Sequence, residues 1–426
     1  MSETKNDLAW DKLFTKYNIL NEIEKKGFFE ISSIQINEFR EARLATKFDH
    51  KINLPKLFRK NHLSILPITR GNYIISQFEA YKEFDEMNTE LTNIVFPEYI
   101  ESIDYKNITS ESMAINCAFV SGILSDFLQD DKILPTVNGR MSSDKFSFYI
   151  NNTNTNKSVE IKVSNSQIEI DGGFEGKESL ALIEAKNSIS DDFLIRQLYY
   201  PYRLWNSKIA KAIRPIFMVY SNGIFTLYEY EFLDTCNYNS LILTKQKNYT
   251  LEQFDVKLDD IKSILNEVQV IEEPRIPFPQ ADNMKRLINL LELLYTNDMT
   301  KEEITTTYDF DPRQTNYYTD AGRYLGVIDK RRENENIVYF LTDEGKGLFN
   351  MNLKLRQLKF VELILKHSAF NKVLKEYFKM EKMSKKSDIV EIMKKSKLYR
   401  IGSEETFKRR AQTISSWINW ILELAK

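Results

Sequence analysis

Three side chains near the middle of the chain, Asp171, Glu184 and Lys186, could together hold a divalent metal ion. They lie in the stretch IEIDGGFEGKESLALIEAK, residues 168–186, which predicts two strands joined by a short break at Gly172-Gly173. Because side chains alternate between the faces of a strand, Glu184 and Lys186 should share one face. Mg²⁺ binds one or two carboxylates together with substrate phosphates and activates water for phosphate displacement. This combination indicates a nuclease.

The spacing of these residues carries a resemblance to a known family. Asp171, followed thirteen residues later by Glu184-Ala185-Lys186, resembles the PD-(D/E)xK nuclease motif. Most of the chain is similar to type II restriction endonucleases built on that core, through residues 42–71, 183–205 and 311–328. Ile170 stands where the motif name has Pro, at a position that varies widely among such nucleases. The resemblance implies an α/β (α+β) PD-(D/E)xK core, in which helices flank a mixed sheet.

The same resemblance implies a role for each site residue. Asp171 and Glu184 would be metal ligands, with the backbone carbonyl of Ala185 completing the inner shell. Lys186 would orient or deprotonate the attacking water, or neutralise charge that develops on the phosphate. Further candidates, taken from the neighbouring helices and strand, are Glu111 as a metal ligand, Gln197 as a supporting catalytic residue and Glu169 as a fallback ligand. Glu111 has an alternative reading, because an acidic residue in a first helical turn complements the helix dipole.

The expected activity is Mg²⁺-dependent hydrolysis of double-stranded DNA at a short specific sequence, with Mn²⁺ as a substitute metal. A type II restriction endonuclease of this kind is expected to be a homodimer if its site is palindromic. It is also expected to have a cognate DNA methyltransferase as its functional partner. Three alternatives stay open: a DNA-binding regulator with an inert nuclease-like core, a structure-specific repair nuclease, and a triplet that is only a salt bridge at a strand end.

Composition excludes several other classes of protein. Only Cys117 and Cys236 occur, so neither a disulfide framework nor a cysteine zinc site is expected. The sequence has no Gly-rich phosphate-binding loop and no run of 18 apolar residues. Its start, MSETKNDLAW, lacks the pattern of a signal peptide, which favours a cytoplasmic protein.

Charge is distributed unevenly along the chain. Although the formal net charge is −2, residues 351–426 hold 18 basic and 8 acidic residues, and residues 40–70 hold 8 and 2. Two basic zones flanking an acidic middle fit a protein that grips phosphates at both ends. A solvated lysine-rich helix surface is the alternative for the second zone.

Element patterns predict five segments. Residues 1–105 form an N-terminal DNA-contacting region and residues 106–270 the nuclease core, with strands at 145–151, 159–163, 166–171, 180–186, 214–221 and 224–230 and helices at 109–130 and 190–205. Residues 271–280 are a Pro-rich linker. Residues 281–350 read as helix, helix, helix and a two-stranded wing, which predicts a winged helix-turn-helix. Residues 351–426 form a basic helical region for DNA binding or dimerisation, in which Trp417 and Trp420 are expected in the core.

Predicted DNA contacts come from each of the outer segments. They combine guanidinium, ammonium and amide groups that bind phosphates or base edges. Residues 281–350 carry 9 basic and 13 acidic residues, so dimerisation or packing is an alternative role for the winged helix. The candidate residues are Arg40, Arg43, Lys47, Arg70, Arg313, Gln314, Arg323, Arg331, Arg332, Lys408, Arg409 and Arg410.

Overall fold

A mixed α/β fold with a seven-stranded mixed sheet is present in the computed structural model, which describes residues 4–85, 87, 90–155, 157–308, 310, 312–399 and 401–425. Contacts divide the chain into two compact units. Unit 1 contains residues 1–92, 110–220 and 225–249, and unit 2 contains residues 93–109, 221–224 and 250–426. Within the described residues, no helix is both long and apolar enough to cross a membrane.

The first part of the chain forms short helices around a small antiparallel sheet of order β1-β3-β2. Its elements are α1 (Lys5–Tyr17), α2 (Ile19–Lys26), β1 (Phe29–Ser32), α3 (Ser33–Asn37), α4 (Ala42–Ala45), α5 (Lys56–Lys60), β2 (Ser64–Pro67), β3 (Asn72–Ser76), β4 (Tyr81–Glu83) and β5 (Leu91–Asn93).

The middle of the chain supplies most of the large sheet, whose strand order is β5-β14-β13-β12-β10-β9-β6. Its elements are α6 (Glu111–Val120), α7 (Ile123–Leu128), β6 (Leu134–Ser142), β7 (Phe146–Asn151), β8 (Ser158–Val163), β9 (Gln167–Glu175), β10 (Ser179–Lys186), β11 (Asp192–Leu194), α8 (Arg196–Lys208), β12 (Ala212–Ser221), β13 (Ile224–Phe232) and β14 (Leu241–Thr250).

The rest of the chain is mainly helical, with one small sheet of order β15-β17-β16. Its elements are α9 (Leu258–Glu267), α10 (Met284–Thr296), β15 (Met299–Thr300), α11 (Lys301–Thr307), α12 (Pro312–Tyr324), β16 (Ile328–Glu333), β17 (Asn336–Leu341), α13 (Asp343–Phe349), α14 (Leu353–Leu365), α15 (Ser368–Met380), α16 (Lys386–Lys395) and α17 (Glu404–Glu423).

The strand β10 lies between an antiparallel and a parallel neighbour. It pairs antiparallel with β9, which places Gly172 opposite Ile183, and parallel with β12, which places Glu184 opposite Phe217. A parallel pair requires a crossover connection, and β11 with α8 provides it. The mixed pairing fixes the end of β10 in the interior of the sheet.

The predicted chain break at Gly172-Gly173 is wrong, because β9 continues through both glycines to Glu175. A Cβ atom on Gly173 would lie 2.7 Å from Val137 Cβ and 2.9 Å from the Val137 carbonyl oxygen in β6. Glycine therefore permits the close approach of β6 and β9 rather than ending the strand.

The predicted helix over residues 190–205 is partly wrong. The strand β11 occupies its first turn, and α8 begins only at Arg196. Pro201 lies inside α8 and does not end it, although it cannot donate the usual backbone hydrogen bond. The helix instead continues to Lys208.

Each unit has its own hydrophobic core. In unit 1, Trp10 is fully buried against Phe14 and Phe58, and its indole N–H donates to the Ala45 carbonyl oxygen at 2.8 Å. In unit 2, Trp417 stacks on Phe370 and donates to the Ala281 carbonyl oxygen at 2.7 Å. Trp417 is fully buried and Trp420 is 7% exposed, so the prediction that both lie in the core is confirmed.

We expect Gly173→Ala to destabilise unit 1 by about 1–3 kcal/mol, because the added methyl group must displace the β6 backbone. Urea denaturation measures the free energy of unfolding. Gly402→Ala is the matched control, since nothing lies within 4 Å of the Cβ that it adds. Equal stability of the two variants would contradict the close approach of β6 and β9.

Candidate active site

The pairing of β9 with β10 brings the first two predicted carboxylates next to each other on adjacent strands. Asp171 Oδ2 accepts a hydrogen bond from the backbone N–H of Ala185 at 2.9 Å. Asp171 is partly exposed, whereas Glu184, the residue before that N–H, is only 8% exposed. The backbone of β10 thus holds the Asp171 carboxylate beside the Glu-Ala-Lys segment.

Glu184 and Lys186 lie on one face of β10, as predicted. Lys186 Nζ donates to Glu184 Oε1 at 2.6 Å, and Gln197 Nε2 on α8 donates to the same oxygen at 2.5 Å. Both members of the ion pair are largely buried, with side-chain exposures of 15% for Lys186 and 10% for Glu184. Gln197 therefore orients the Glu184 carboxylate from a separate element.

The helix α6 brings a third carboxylate. Ser110 caps α6 by accepting from the Met113 N–H, and Glu111 follows in the first turn. Glu111 Oε1 lies 4.0 Å from Lys186 Nζ, although 44% of the Glu111 side chain is exposed. Glu111 thus lies both at the positive end of the α6 dipole and near Lys186, so its position is compatible with either interpretation, metal ligand or dipole-complementing residue.

A fourth carboxylate, Asp49, was missed by sequence reasoning. Its side chain is 18% exposed and lies 3.7 Å from the Lys47 ammonium. Its negative charge raises the pKa of both Glu184 and Lys186, which places it within electrostatic reach of the cluster. The sequence offers one weak signal, since Asp49 and Glu41 are the only acidic residues among the basic residues 40–70.

The segment that carries Asp49 is fastened to the core by backbone and side-chain contacts. The Asp49 carbonyl oxygen accepts from the Leu194 N–H at 3.0 Å. Buried His50 contacts Asp192, and the Lys51 N–H donates to Asp192 Oδ1 at 3.2 Å. These contacts join residues 49–51 to β11, the strand that leads into α8 and Gln197.

Carboxylates outnumber the ammonium in this cluster. Glu184, Glu111 and Asp49 act on the largely buried Lys186, and Asp171 raises the pKa of Glu111 and of Glu184. Burial raises the pKa of Glu184 to about 7, against the opposing effect of Lys186. For Lys186, burial is outweighed by Glu184, Glu111 and Asp49, so the pKa of its ammonium lies above the usual value. Lys186 therefore keeps its proton, which favours a role as a cation over a role as a base.

The residues present fit a hydrated divalent cation. Asp171, Glu184 and the Ala185 carbonyl offer the hard oxygen ligands that Mg²⁺ prefers. Among the described residues, no three His, Cys, Asp or Glu side chains are grouped closely enough to hold a metal by themselves. An ion here would therefore keep several water ligands, as Mg²⁺ usually does.

One buried acceptor is available for such a water. Gln197 Oε1 is buried without a hydrogen-bond partner. A cavity of about 10 Å³, room for roughly one water, is lined by Glu184, Gln197, Pro201 and Glu169. The carboxylate of Glu169, the additional candidate ligand, is exposed and pairs with Arg140 at 3.1 Å.

The predicted DNA contacts are spread over both units. In unit 1, Arg43, Lys47 and Arg70 are exposed, and Arg40 is half-buried with a buried Nε that has no partner. Lys47 alone among these four lies beside the cluster, through Asp49.

In unit 2, some of the predicted DNA-contacting side chains form ion pairs or are half-buried, and others are exposed. Arg323 pairs with Asp320 at 3.0 Å, and Arg331 pairs with Asp298 at 2.8 Å. Arg410 is half-buried over the Tyr317 ring, and burial lowers its pKa. The remaining candidates are Arg313, Arg332, Lys408 and Arg409, which are exposed, and Gln314, which is half-buried.

Three family models match successive parts of the chain, and each is described as a domain of unknown function: DUF6996 over residues 7–75, DUF6997 over residues 76–250 and DUF7226 over residues 286–426. The boundary between the first two falls at the end of β3 and separates Asp49 from the rest of the cluster. Comparison with curated proteins and with solved structures gave no match.

We expect the metal-free protein to lose stability as pH rises, relative to Glu184→Gln. The pKa of Glu184 is raised in the folded state from 4.5 to about 7. The stabilisation of the folded state by protonated Glu184 is therefore fully present below pH 4.5 and is lost as pH rises through about 7. The difference amounts to up to about 3 kcal/mol. Urea denaturation in EDTA at several pH values measures it, with Glu169→Gln as the exposed control. Parallel pH profiles for wild type and Glu184→Gln would refute it.

We expect Asp49→Asn to weaken binding of divalent cations, because it removes one negative charge from the cluster without changing shape. Isothermal titration calorimetry with Mn²⁺ should show a several-fold rise in Kd. A tenfold rise would correspond to about 1.4 kcal/mol of binding free energy. Glu41→Gln is the control, because it neutralises the other acidic residue of the same basic segment. Unchanged Mn²⁺ affinity in Asp49→Asn would separate Asp49 from the site.

Proposed function

We propose that this protein is a Mg²⁺-dependent endonuclease that cuts double-stranded DNA at a short specific sequence, as a type II restriction endonuclease does. The observation that carries the proposal is the cluster of Asp171, Glu184 and Lys186, held by hydrogen bonds on two adjacent strands of a mixed sheet. Its excess of negative charge suits a divalent cation, and its ammonium suits a phosphate. A site that can bind both a divalent cation and a phosphate is suited to phosphodiester hydrolysis.

The arrangement of elements supports a PD-(D/E)xK core. The helix α6 precedes the strands that carry the cluster, and α8 follows them and supplies Gln197. The strand β10 is flanked by β9 and by its parallel neighbour β12. This order of helix, strands, helix and strands is the order that the sequence resemblance implies for the family.

The chain's own residues would divide the chemistry among them. Asp171, fixed by the Ala185 N–H, and Glu184, fixed by Gln197, would hold the cation together with the Ala185 carbonyl. Bound Mg²⁺ would lower the pKa of a coordinated water and offset phosphate charge. Lys186 would stabilise the negative charge that develops on the phosphate, since its neighbours keep it protonated. Glu111 would add negative charge, or accept a hydrogen bond from a water.

The arrangement in unit 2 supports a winged helix-turn-helix. The helices α10, α11 and α12 precede the hairpin of β16 and β17, and Thr300 caps α11. In this proposal α12 presents Arg313 and Gln314 to the DNA, and Arg332 lies exposed on the wing. Arg331 is engaged by Asp298 and Glu333 and would have to exchange these partners for a phosphate.

The deciding experiment is digestion of unmethylated phage DNA by purified protein in Mg²⁺ and, in parallel, in EDTA. Discrete bands that require Mg²⁺ support the proposal, and sequencing their ends gives the recognition site. A smear, or cleavage only at branched structures, would replace it with a repair nuclease. Binding without cleavage would replace it with an inert DNA-binding regulator. Homodimerisation and a cognate methyltransferase belong to the same proposal, and sedimentation of the protein–DNA complex tests the first.

We expect Lys186→Ala to abolish cleavage while sequence-specific binding in Ca²⁺ persists. The loss should reach at least about a hundredfold, the usual effect of removing one group that stabilises transition-state charge. Lys162→Ala is the matched control, because the Lys162 side chain is 80% exposed on β8. Full cleavage by Lys186→Ala would move the active site elsewhere in the chain.

A further inference from the structure

Five exposed lysines surround the connection between α15 and α16. We call this surface the lysine turn and define it by Lys375, Lys379, Lys382, Lys385 and Lys386. Lys375 and Lys379 lie one turn apart on α15, and Lys385 and Lys386 begin α16. None of the five belongs to the DNA contacts that sequence reasoning selected.

Ion pairing distinguishes the lysine turn from three other lysines of unit 2. Lys359, Lys366 and Lys394 each pair with a glutamate, at distances of 3.1, 2.9 and 2.9 Å. In the described part of the chain, no ion pair joins any lysine of the turn to a carboxylate. Its solvent-facing positive charges are therefore available to an anionic partner.

The carboxylates near the turn are engaged elsewhere or point to solvent. Glu376 accepts from the Ser384 hydroxyl at 3.1 Å, and Asp388 accepts from the Ser387 hydroxyl at 3.1 Å. Glu381, whose backbone is in the left-handed region, ends α15, and its side chain is exposed. Five ammonium groups against these three carboxylates leave the turn with a net positive charge.

The start of α16 adds to this positive potential. Lys385 is its N-cap and provides no side-chain hydrogen bond to the first turn. The positive end of the α16 dipole therefore coincides with Lys385 and Lys386. Both contributions favour a phosphate at this end of the helix.

The chemistry of the turn suits phosphates and not bases. Lysine is a compact point charge, whereas the bidentate fork of arginine reads guanine. Between Arg356 and Arg400 the sequence contains no arginine at all. A surface of lysines alone grips the DNA backbone without reading its sequence.

We propose that the lysine turn is a sequence-independent contact for the phosphate backbone of duplex DNA. The inference rests on the proposed function for its choice of DNA as the polyanion. It assigns anchoring to α15 and α16, and it leaves base reading to other surfaces such as α12.

The test measures binding of an unrelated duplex of about 30 base pairs, in EDTA, by fluorescence anisotropy between about 50 and 200 mM salt, the range over which phosphate contacts weaken strongly. Lys382→Gln/Lys385→Gln should lower the slope of log K against log salt by about 2, since each lost phosphate contact removes about 0.9. Lys366→Gln/Lys394→Gln is the matched control: it changes the net charge equally, at lysines already paired with glutamates. Circular dichroism checks that both variants fold.

The outcomes separate this inference from the nuclease proposal. A fall in slope confined to the lysine-turn variant supports the contact, whether or not the protein cuts DNA. An unchanged slope, or an equal fall in the control, overturns it. So does wild-type protein that binds anionic vesicles but not duplex DNA. Because every measurement is made in EDTA, a failure of cleavage overturns only the proposed function.

Discussion

The buried ion pair of Lys186 and Glu184 is the interaction on which the candidate site depends. Taking charges out of water is expensive, and an ammonium inside the protein is tolerated only when carboxylates and hydrogen bonds surround it. Here the surrounding carboxylates outnumber the ammonium, so the pair does not neutralise its own surroundings. The net negative charge of the site therefore favours the binding of a further cation. A divalent cation would offset this negative charge.

Hydrogen bonds hold the elements around the ion pair in place. The Ala185 N–H fixes one carboxylate, Gln197 fixes another, and residues 49–51 are tied to β11 through Asp192. The strand β11 leads directly into α8, so the segment that carries Asp49 and the helix that carries Gln197 share one anchoring point. A single short strand therefore connects the basic N-terminal segment with the positioning of Glu184.

Sequence reasoning identified the parts of the site that are local. Asp171, Glu184 and Lys186 lie on adjacent strands with a short connection, so alternation and spacing were enough to bring them together. Glu111 was predicted in a first helical turn, and it lies in the first turn of α6. Asp49 could not be found in this way, because its place depends on packing between distant segments. The strand β6 was missed because most of its residues are exposed and its pattern lacks apolar alternation. Gly172-Gly173 was misread because glycine marks both turns and close strand contacts.

The wide separation of the site residues along the chain has a consequence for protein synthesis. A ribosome makes the basic segment of residues 40–70 early, but the two strands that carry the cluster appear much later, and β12, the parallel partner of β10, later still. A chain that ends before β10 lacks Glu184 and Lys186, so it cannot form the buried ion pair. For the proposed nuclease, this order would be a safeguard, because a polypeptide that ends before β10 lacks two of the residues proposed to cut DNA.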